Sequence, residues 1–588
     1  MESPNKRRRL ADGRSTEASI GRQQRAAFLS SISRDISPPP SSRAPDSSTK
    51  ASTSLTTPSS VIDANESMSK MQGAERKRTN EGANGTPHLV DSPFKLTTIR
   101  DLPASSNIDA VSLHDILGNP LIKEAWVFNF CFDIDWMMQC FDPDVRSMVQ
   151  VKVIHGSWKR EDPNKIAIDD ACERWSNVDA ASAYLPDPFG THHSKMFILF
   201  THDKQAEVII HTANMLPKDW ANMTQAVWRS GPLLKSDNKT QDLGEIGTGA
   251  RFKYDLLQYL KAYKRLTKSV VEQLQNFDFS SVRGALVASV PCKIDNTQSK
   301  STAMQHLWGY PQLREVISQT QQERSTARPQ PSQPHLIAQV SSIATLHSDW
   351  LTTLVEAFSW AGGKPKKLPT LDIIYPTAIN VAASLDGYAA GGSIHTKAES
   401  PAHLKQIEKL RPHLAQWTSE PSTTFRALRD TAAPHIKTYI QFNAKPTVDS
   451  LSKDEVAIEW ALVTSANLST QAWGSLPRKE DKSKSKSNST KSDRVKEGMV
   501  HIQSFEIGVV VWPELFCEDS SDLSVRMVPV FGKDSPHQAT DNGTNTSEIV
   551  VGIRMPYDLP TTSYKAGELP WSPHGTYKEP DSKGKTWN

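Results

Sequence analysis

The sequence predicts a layered α/β protein built from two similar blocks behind a disordered N-terminal tail. Three observations carry this. Residues 1–90 are rich in Ser, Thr, Pro and Arg and poor in large apolar side chains. Beyond them, strand-like and helix-like runs alternate, as they do where helices layer on sheets. A His-x-Lys triplet opening one strand, with Ala-Asn closing the next, occurs once in each half.

The tail comes first. A segment of this composition buries too little surface to offset its ordering entropy. Its first thirty residues carry Lys6, Arg7, Arg8, Arg9, Arg14, Arg22 and Arg25 against Glu2, Asp12 and Glu17. Lys6-Arg7-Arg8-Arg9 reads either as a nuclear localisation patch, placing the protein in the nucleus, or as a basic arm that holds DNA. The whole chain is nearly balanced, with a net charge of +3 over 588 residues. Hydrophobic residues make up 37%, consistent with an ordinary core diluted by polar segments. Five cysteines without a C-x-x-C pair argue against a disulfide scaffold and a structural zinc site. No secretory signal follows the N-terminal charges, and no apolar run is long enough to span a bilayer, so no membrane association is expected.

The first block is expected over residues 91–298. Ser112 to Leu117 reads as a helix, and Ala125 to Phe132 and Met148 to Ile154 read as strands. Met196 to Thr201 and Glu207 to Thr212 read as two more. Asp255 to Phe277 has the apolar spacing of a helix. The second block, 299–588, offers strands at Leu336 to Val340, Leu371 to Tyr375, Ile379 to Ala383, His435 to Phe442, Val456 to Thr464 and Phe505 to Val511. Low-complexity runs near 319–334 and 479–496 are expected to be mobile loops.

The chemistry lies in the repeat. In the first block, His193-Ser194-Lys195 opens a strand, and the next strand leads into Thr212-Ala213-Asn214. In the second, His435-Ile436-Lys437 opens a strand, and the next leads into Ser465-Ala466-Asn467. Residues two apart in a strand share a face, so each histidine projects with its lysine. If the blocks meet, one cleft collects two imidazoles, two ammonium groups and two carboxamides. That set suits a phosphodiester: the cations and amides stabilise charge on non-bridging oxygens, and the histidines handle attack and proton transfer. Zinc ligation by His192, His193 and His211 is disfavoured, because a lysine beside each His-x-Lys histidine repels a cation. No metal or cofactor is expected.

These residues resemble the phospholipase D superfamily, whose signature is two copies of His-x-Lys. That resemblance implies two similar α-β-α sandwich domains in one chain. The superfamily's common Asp, five residues after each Lys, is replaced by Phe200 and Phe442. The departure matches the eukaryotic tyrosyl-DNA phosphodiesterases of the 3′ type. Phe189-Gly190-Thr191-His192-His193-Ser194-Lys195, His211 to Asn214 with Asp219-Trp220, and Thr464 to Ser469 with Ala472-Trp473-Gly474 are similar to that family's motifs. Val127 to Asp133, Ser341-Ser342, Phe505 to Val509 and Met555 to Pro560 extend the likeness over roughly residues 92–588.

By this resemblance His193 is the nucleophile, giving a covalent phosphohistidine, and His435 is the general acid and base. Lys195, Lys437, Asn214 and Asn467 clamp the phosphoryl oxygens. Glu506 orients His193 and Gln225 orients His435, unless either is a buried polar group satisfied elsewhere. Ser341 and Ser342 contact phosphate on the DNA side with Phe189, Gly190 and Phe130; the two phenylalanines either stack on bases or pack in the core. Trp571 falls on the peptide side. The implied substrate is a single- or double-stranded DNA end with a 3′-linked tyrosyl peptide derived from a topoisomerase. The implied product is a 3′-phosphate, other 3′ blocking groups and, weakly, 3′ nucleosides being removed as well. One chain supplies both half-sites, so a monomer suffices.

Overall fold

A computed structural model describes residues 88–588 other than 238–242, 296–299, 303–304, 323–332, 347–348, 362–363, 366, 420–422, 476–498, 518–523 and 538–547. Nearly all of the predicted tail, the 479–496 run and most of 319–334 lie outside the described residues. The described chain begins with a strand, His88–Val90, inside the span assigned to the tail.

The first half forms a mixed eight-stranded sheet. Its strands include β1 (Phe94–Leu96), β2 (Ile122–Phe128), β3 (Gln150–His155), β4 (Val178–Ser182), β5 (Met196–Thr201), β6 (Gln205–His211) and β7 (Ala226–Arg229), in spatial order β1-β7-β6-β5-β2-β3-β4. Alternation sorts β5 between two cores. Met196, Ile198 and Phe200 face one apolar cluster, and Phe197 and Leu199 face the other. The outer cluster is covered by α1 (Leu113–Leu117), α2 (Ile134–Gln139) and α3 (Pro163–Arg174), the inner one by α4 (Gly249–Lys261) and α5 (Lys268–Leu274). The result is an α-β-α layering, as expected.

Three predicted elements differ. The strand expected at 125–132 is β2, which stops at Phe128; Asp133 then accepts a hydrogen bond from Trp136 N and caps α2. The helix expected at 255–277 is broken into α4 and α5 by a 3₁₀ turn, Lys264–Thr267, with Lys264 in left-handed backbone. The strand expected at 379–383 is a helix, α6 (Ala378–Ala383). Thr377 and Asn380 close a capping box on it, a signal the apolar run Ile379 to Ala383 conceals.

The second half builds an eleven-stranded sheet. Its main strands are β8 (Ala285–Ser289), β9 (His335–Gln339), β10 (Thr370–Ile374), β11 (Leu414–Gln416), β12 (Thr438–Phe442), β13 (Ile458–Thr464), β14 (Glu506–Val511), β15 (Ser524–Val530) and β16 (Glu548–Arg554). β8 pairs with β14, and His88–Val90 pairs with β16. The boundary expected at 298/299 therefore falls too late, since the second sheet already begins at residue 285. Ladder hydrogen bonds require β8 to lie in the sheet of its partner, whatever its place in sequence.

The two halves share one core. Phe94, Leu96 and Ala226 meet Ile436, Ile440 and Leu462 across the junction. Phe200 and Phe442, standing where the superfamily has Asp, are both buried in this core. Each such burial stabilises the fold by about 1.5–3 kcal/mol, whereas a carboxylate there would need a partner. Among the described residues no helix is long and apolar enough to cross a membrane.

Candidate active site

The junction is stitched by backbone. Thr191 O and His193 N bond to Phe505, at 2.9 and 3.0 Å. Ala433 O and His435 N bond to Thr224, at 3.0 and 3.1 Å. Each histidine turn is thus anchored on the strand entry of the opposite half. Both imidazoles line one cavity of about 320 Å³, together with Asn214, Asn467, Glu506, Phe130 and Phe189.

His193 Nδ1 lies 2.9 Å from Glu506 Oε2. The carboxylate takes the Nδ1 hydrogen and leaves Nε2 as the lone-pair nitrogen. Burial, with Lys195 and Lys437 nearby, pushes His193 down to about 4 against the pull of Glu506. Burial alone would raise Glu506, but His193, Ser465 and Lys195 outweigh it and hold the carboxyl below its ordinary value. His192 has a different job: Asn129 O holds its Nδ1 and Tyr263 OH its Nε2, at 2.9 and 3.0 Å.

His435 is supported by a residue whose role the sequence did not reveal. Asp219 Oδ2 is 3.1 Å from its Nδ1. Gln225 Nε2 is 3.2 Å from the same nitrogen. That nitrogen has one hydrogen at most, and the carboxylate is the stronger acceptor. Gln225 therefore backs Asp219, which its amide also approaches at 3.5 Å, and is not the main orienter. Asp219 is held down to about 2, because His435 and Lys218 outweigh the effect of burial. His435 is pushed down to about 3 by burial and Lys437, against Asp219.

Both lysines are fully buried beside the histidines. Lys437 Nζ is 3.2 Å from His435 Nε2, and Lys195 Nζ donates to His193 O at 2.9 Å. Burial lowers Lys195 to about 8, and burial with Lys195 nearby lowers Lys437 well below the ordinary lysine range. Two buried lysines, one of which depresses the other, make a site that an anion would relieve.

Asn467 Oδ1 accepts from Ser341 N, Ser342 N and Ser341 Oγ, at 3.0, 2.9 and 3.3 Å. Its NH₂ is thereby left for the cavity, so the two serines act first as the mount of Asn467. Asn214 Oδ1 is buried without a partner among the described residues. Phe189 is 62% exposed and lines the cavity, and Phe130 meets the His193 ring edge-on at 5.6 Å; neither is a core residue. Gly190 is required by packing, since a Cβ there would lie 2.2 Å from Gln503 O. Trp571 does not reach the cavity. It is fully buried, donating to Gly391 O and Ile394 O at 2.9 and 3.1 Å, and so braces the wall segment that includes Gly392 and Ser393.

Paired imidazoles, each backed by a carboxylate with a lysine beside it, supply the groups that phosphoryl transfer uses. The family model for tyrosyl-DNA phosphodiesterase matches residues 93–565. A probable tyrosyl-DNA phosphodiesterase of Schizosaccharomyces pombe is 28% identical over 578 residues, spanning 88% of this chain and 99% of that one. Tyrosyl-DNA phosphodiesterase 1 of Arabidopsis thaliana is 29% identical over 528 residues, spanning 85% and 77%. The crystal structure of the yeast tyrosyl-DNA phosphodiesterase superposes with a TM-score of 0.53 over 82% of this chain and 99% of that one, at 18% identity, and shares its fold. The chain belongs to the tyrosyl-DNA phosphodiesterase family.

Proposed function

We propose that the protein cleaves the 3′-phosphodiester between DNA and the tyrosine of a stalled type I topoisomerase peptide, through a covalent phosphohistidine. One observation carries this reading: two imidazoles, fixed through Nδ1 by Glu506 and Asp219, share a cavity, each with a buried lysine beside it. His193 Nε2 attacks phosphorus, the P–O bond to tyrosine breaks, and His435 Nε2–H protonates the departing phenolic oxygen. Water, deprotonated by His435, then attacks the phosphohistidine; the P–N bond breaks and the DNA leaves with a 3′-phosphate.

The electrostatics support these roles. A neutral His193 has its lone pair available at pH 7. His435 is neutral in the free protein and must gain a proton to act as an acid. The anionic diester supports that gain by offsetting Lys195 and Lys437, which both hold His435 down. Tyrosine, with a pKa of about 10, is a far better leaving group than an alcohol, which fits slower removal of 3′ nucleosides. The basic patch Lys6 to Arg9 supports work in the nucleus, and one chain carrying both half-sites supports a monomer.

The test is hydrolysis of a 3′-phosphotyrosyl oligonucleotide with EDTA present. Release of free tyrosine and a 3′-phosphate end is expected. Turnover that requires an added divalent cation would count against the two-histidine mechanism.

A further inference from the structure

The first half exposes two large aromatic side chains outside the cavity. Trp158 is 59% exposed and Tyr184 68%. Both leave the sheet at the edge where His193 enters it. β2, β3 and β4 run parallel, with Phe128 opposite Ile154 and Ile154 opposite Ala181. β5 returns beside β2 with Met196 opposite Phe128. At about 4.8 Å per strand, the ends of β3 and β4 lie roughly 10 and 14 Å from the start of β5.

Each aromatic is also linked to His192, the neighbour of His193. Gly156, two residues before Trp158, packs so closely that a Cβ would come within 2.7 Å of His192 Cβ. Lys264 Nζ stands 5.0 Å from the Tyr184 ring centroid. Tyr263, next to Lys264, is the partner of His192 Nε2. Lys264 has φ 59°, a left-handed conformation that a residue with a Cβ holds only under constraint. Lys159 Nζ is 5.7 Å from the Trp158 ring.

We propose that Trp158 and Tyr184, with Lys159 and Lys264, form a stacking ledge for the DNA strand upstream of the scissile linkage. This rests on DNA being the substrate, as argued above. Aromatic faces stack on any base, and the ammonium groups beside them meet backbone phosphates. Of the neighbouring carboxylates, Asp162 accepts from Asn164 N and Asp187 from Phe189 N. Attack in line by His193 expels the tyrosine on the opposite side of phosphorus, so the peptide departs away from the His193 turn. That exit leaves the ledge, beside the same turn, clear of the peptide and open to the nucleic acid.

Steady-state kinetics on 3′-phosphotyrosyl oligonucleotides of about 4 and about 15 nucleotides test the ledge. Trp158→Ala/Tyr184→Ala is expected to raise KM for the long substrate roughly ten-fold, with kcat and the short substrate unchanged. Trp158→Phe/Tyr184→Phe should keep most of the wild-type preference for length. Equal KM values for the double alanine variant and the wild type on the long DNA would overturn the ledge. So would a KM that follows the length of the peptide instead of the DNA. No turnover of either substrate by the wild-type protein would bring down the DNA reading itself, and the ledge with it.

Discussion

In the first half the turn before β5 presents His193, and in the second half the turn before β12 presents His435. The strand registers make the two regions superimposable residue by residue. His211 stands opposite Val227 and Thr464 opposite Gly508, so Gln225 occupies the place of Glu506. Even the details repeat: Ala226 N donates to Thr212 Oγ1 at 2.9 Å, and Ile507 N to Ser465 Oγ at 3.0 Å. What differs is the acid. Glu506 serves His193 from the repeated position, whereas His435 has an amide there and takes its carboxylate from Asp219. The place of Asp219, five residues after the motif's Asn, is Ala472 in the second half. Asp219 also accepts from Asn214 N at 2.8 Å, tying the support of His435 to an oxygen clamp. The backbone scheme repeats while the charges differ, so two similar imidazoles sit in different electrostatic settings.

The largest expected effect separates the two histidines. His193→Ala should lower turnover by about 10⁴-fold or more and form no adduct. His435→Asn should leave attack possible and let a DNA-bound intermediate accumulate on denaturing gels. An adduct in the first variant and none in the second would reverse the assignment. Next come the clamps. Asn467→Ala should cost about 10²–10³ in kcat, and Ser341→Ala less, because the backbone donors that hold Asn467 Oδ1 survive. Equal losses in both would break the view of the serine as a mount.

The comparison is sharpened by moving the acid. Asp219→Asn should lower kcat by roughly 10²-fold, and adding Gln225→Glu should recover part of it by placing a carboxylate at the position of Glu506. No recovery would show that the repeated position cannot serve His435. The smallest effect is on stability. His193 and His435 titrate near 4 and 3 in the folded protein and near 6.5 when unfolded. Between these values the unfolded chain binds more protons, so their contribution is full above pH about 6.5 and is lost as pH falls toward 4 and then 3. The urea midpoint should drop between pH about 7 and about 5; a flat profile would show that the imidazoles accept protons without cost.

Much of this was legible in the sequence. The His-x-Lys and Ala-Asn repeats mark strand starts and ends, and apolar runs place β5, β6, β12 and β13. Glu506 was legible through its motif. Asp219-Trp220 is readable as part of a motif, but the contact of Asp219 with His435 is not, because the two lie more than two hundred positions apart. Trp571 is the reverse case: a resemblance to a site position does not tell which side of the wall an indole occupies, and here it packs behind Gly391 and Ile394. The boundary at 285 depends on which sheet β8 joins, and neither composition nor periodicity encodes the choice.

The crossed anchoring of the two turns has a consequence for synthesis. The carboxylate that readies His193 lies 313 residues downstream, and the backbone that seats it arrives with Phe505. A chain growing from its N-terminus carries a complete first motif long before it carries a competent one. Premature termination between residues 193 and 506 yields a fragment that keeps His193 but lacks the carboxylate that holds it. The wiring makes reactivity the privilege of a nearly finished polypeptide.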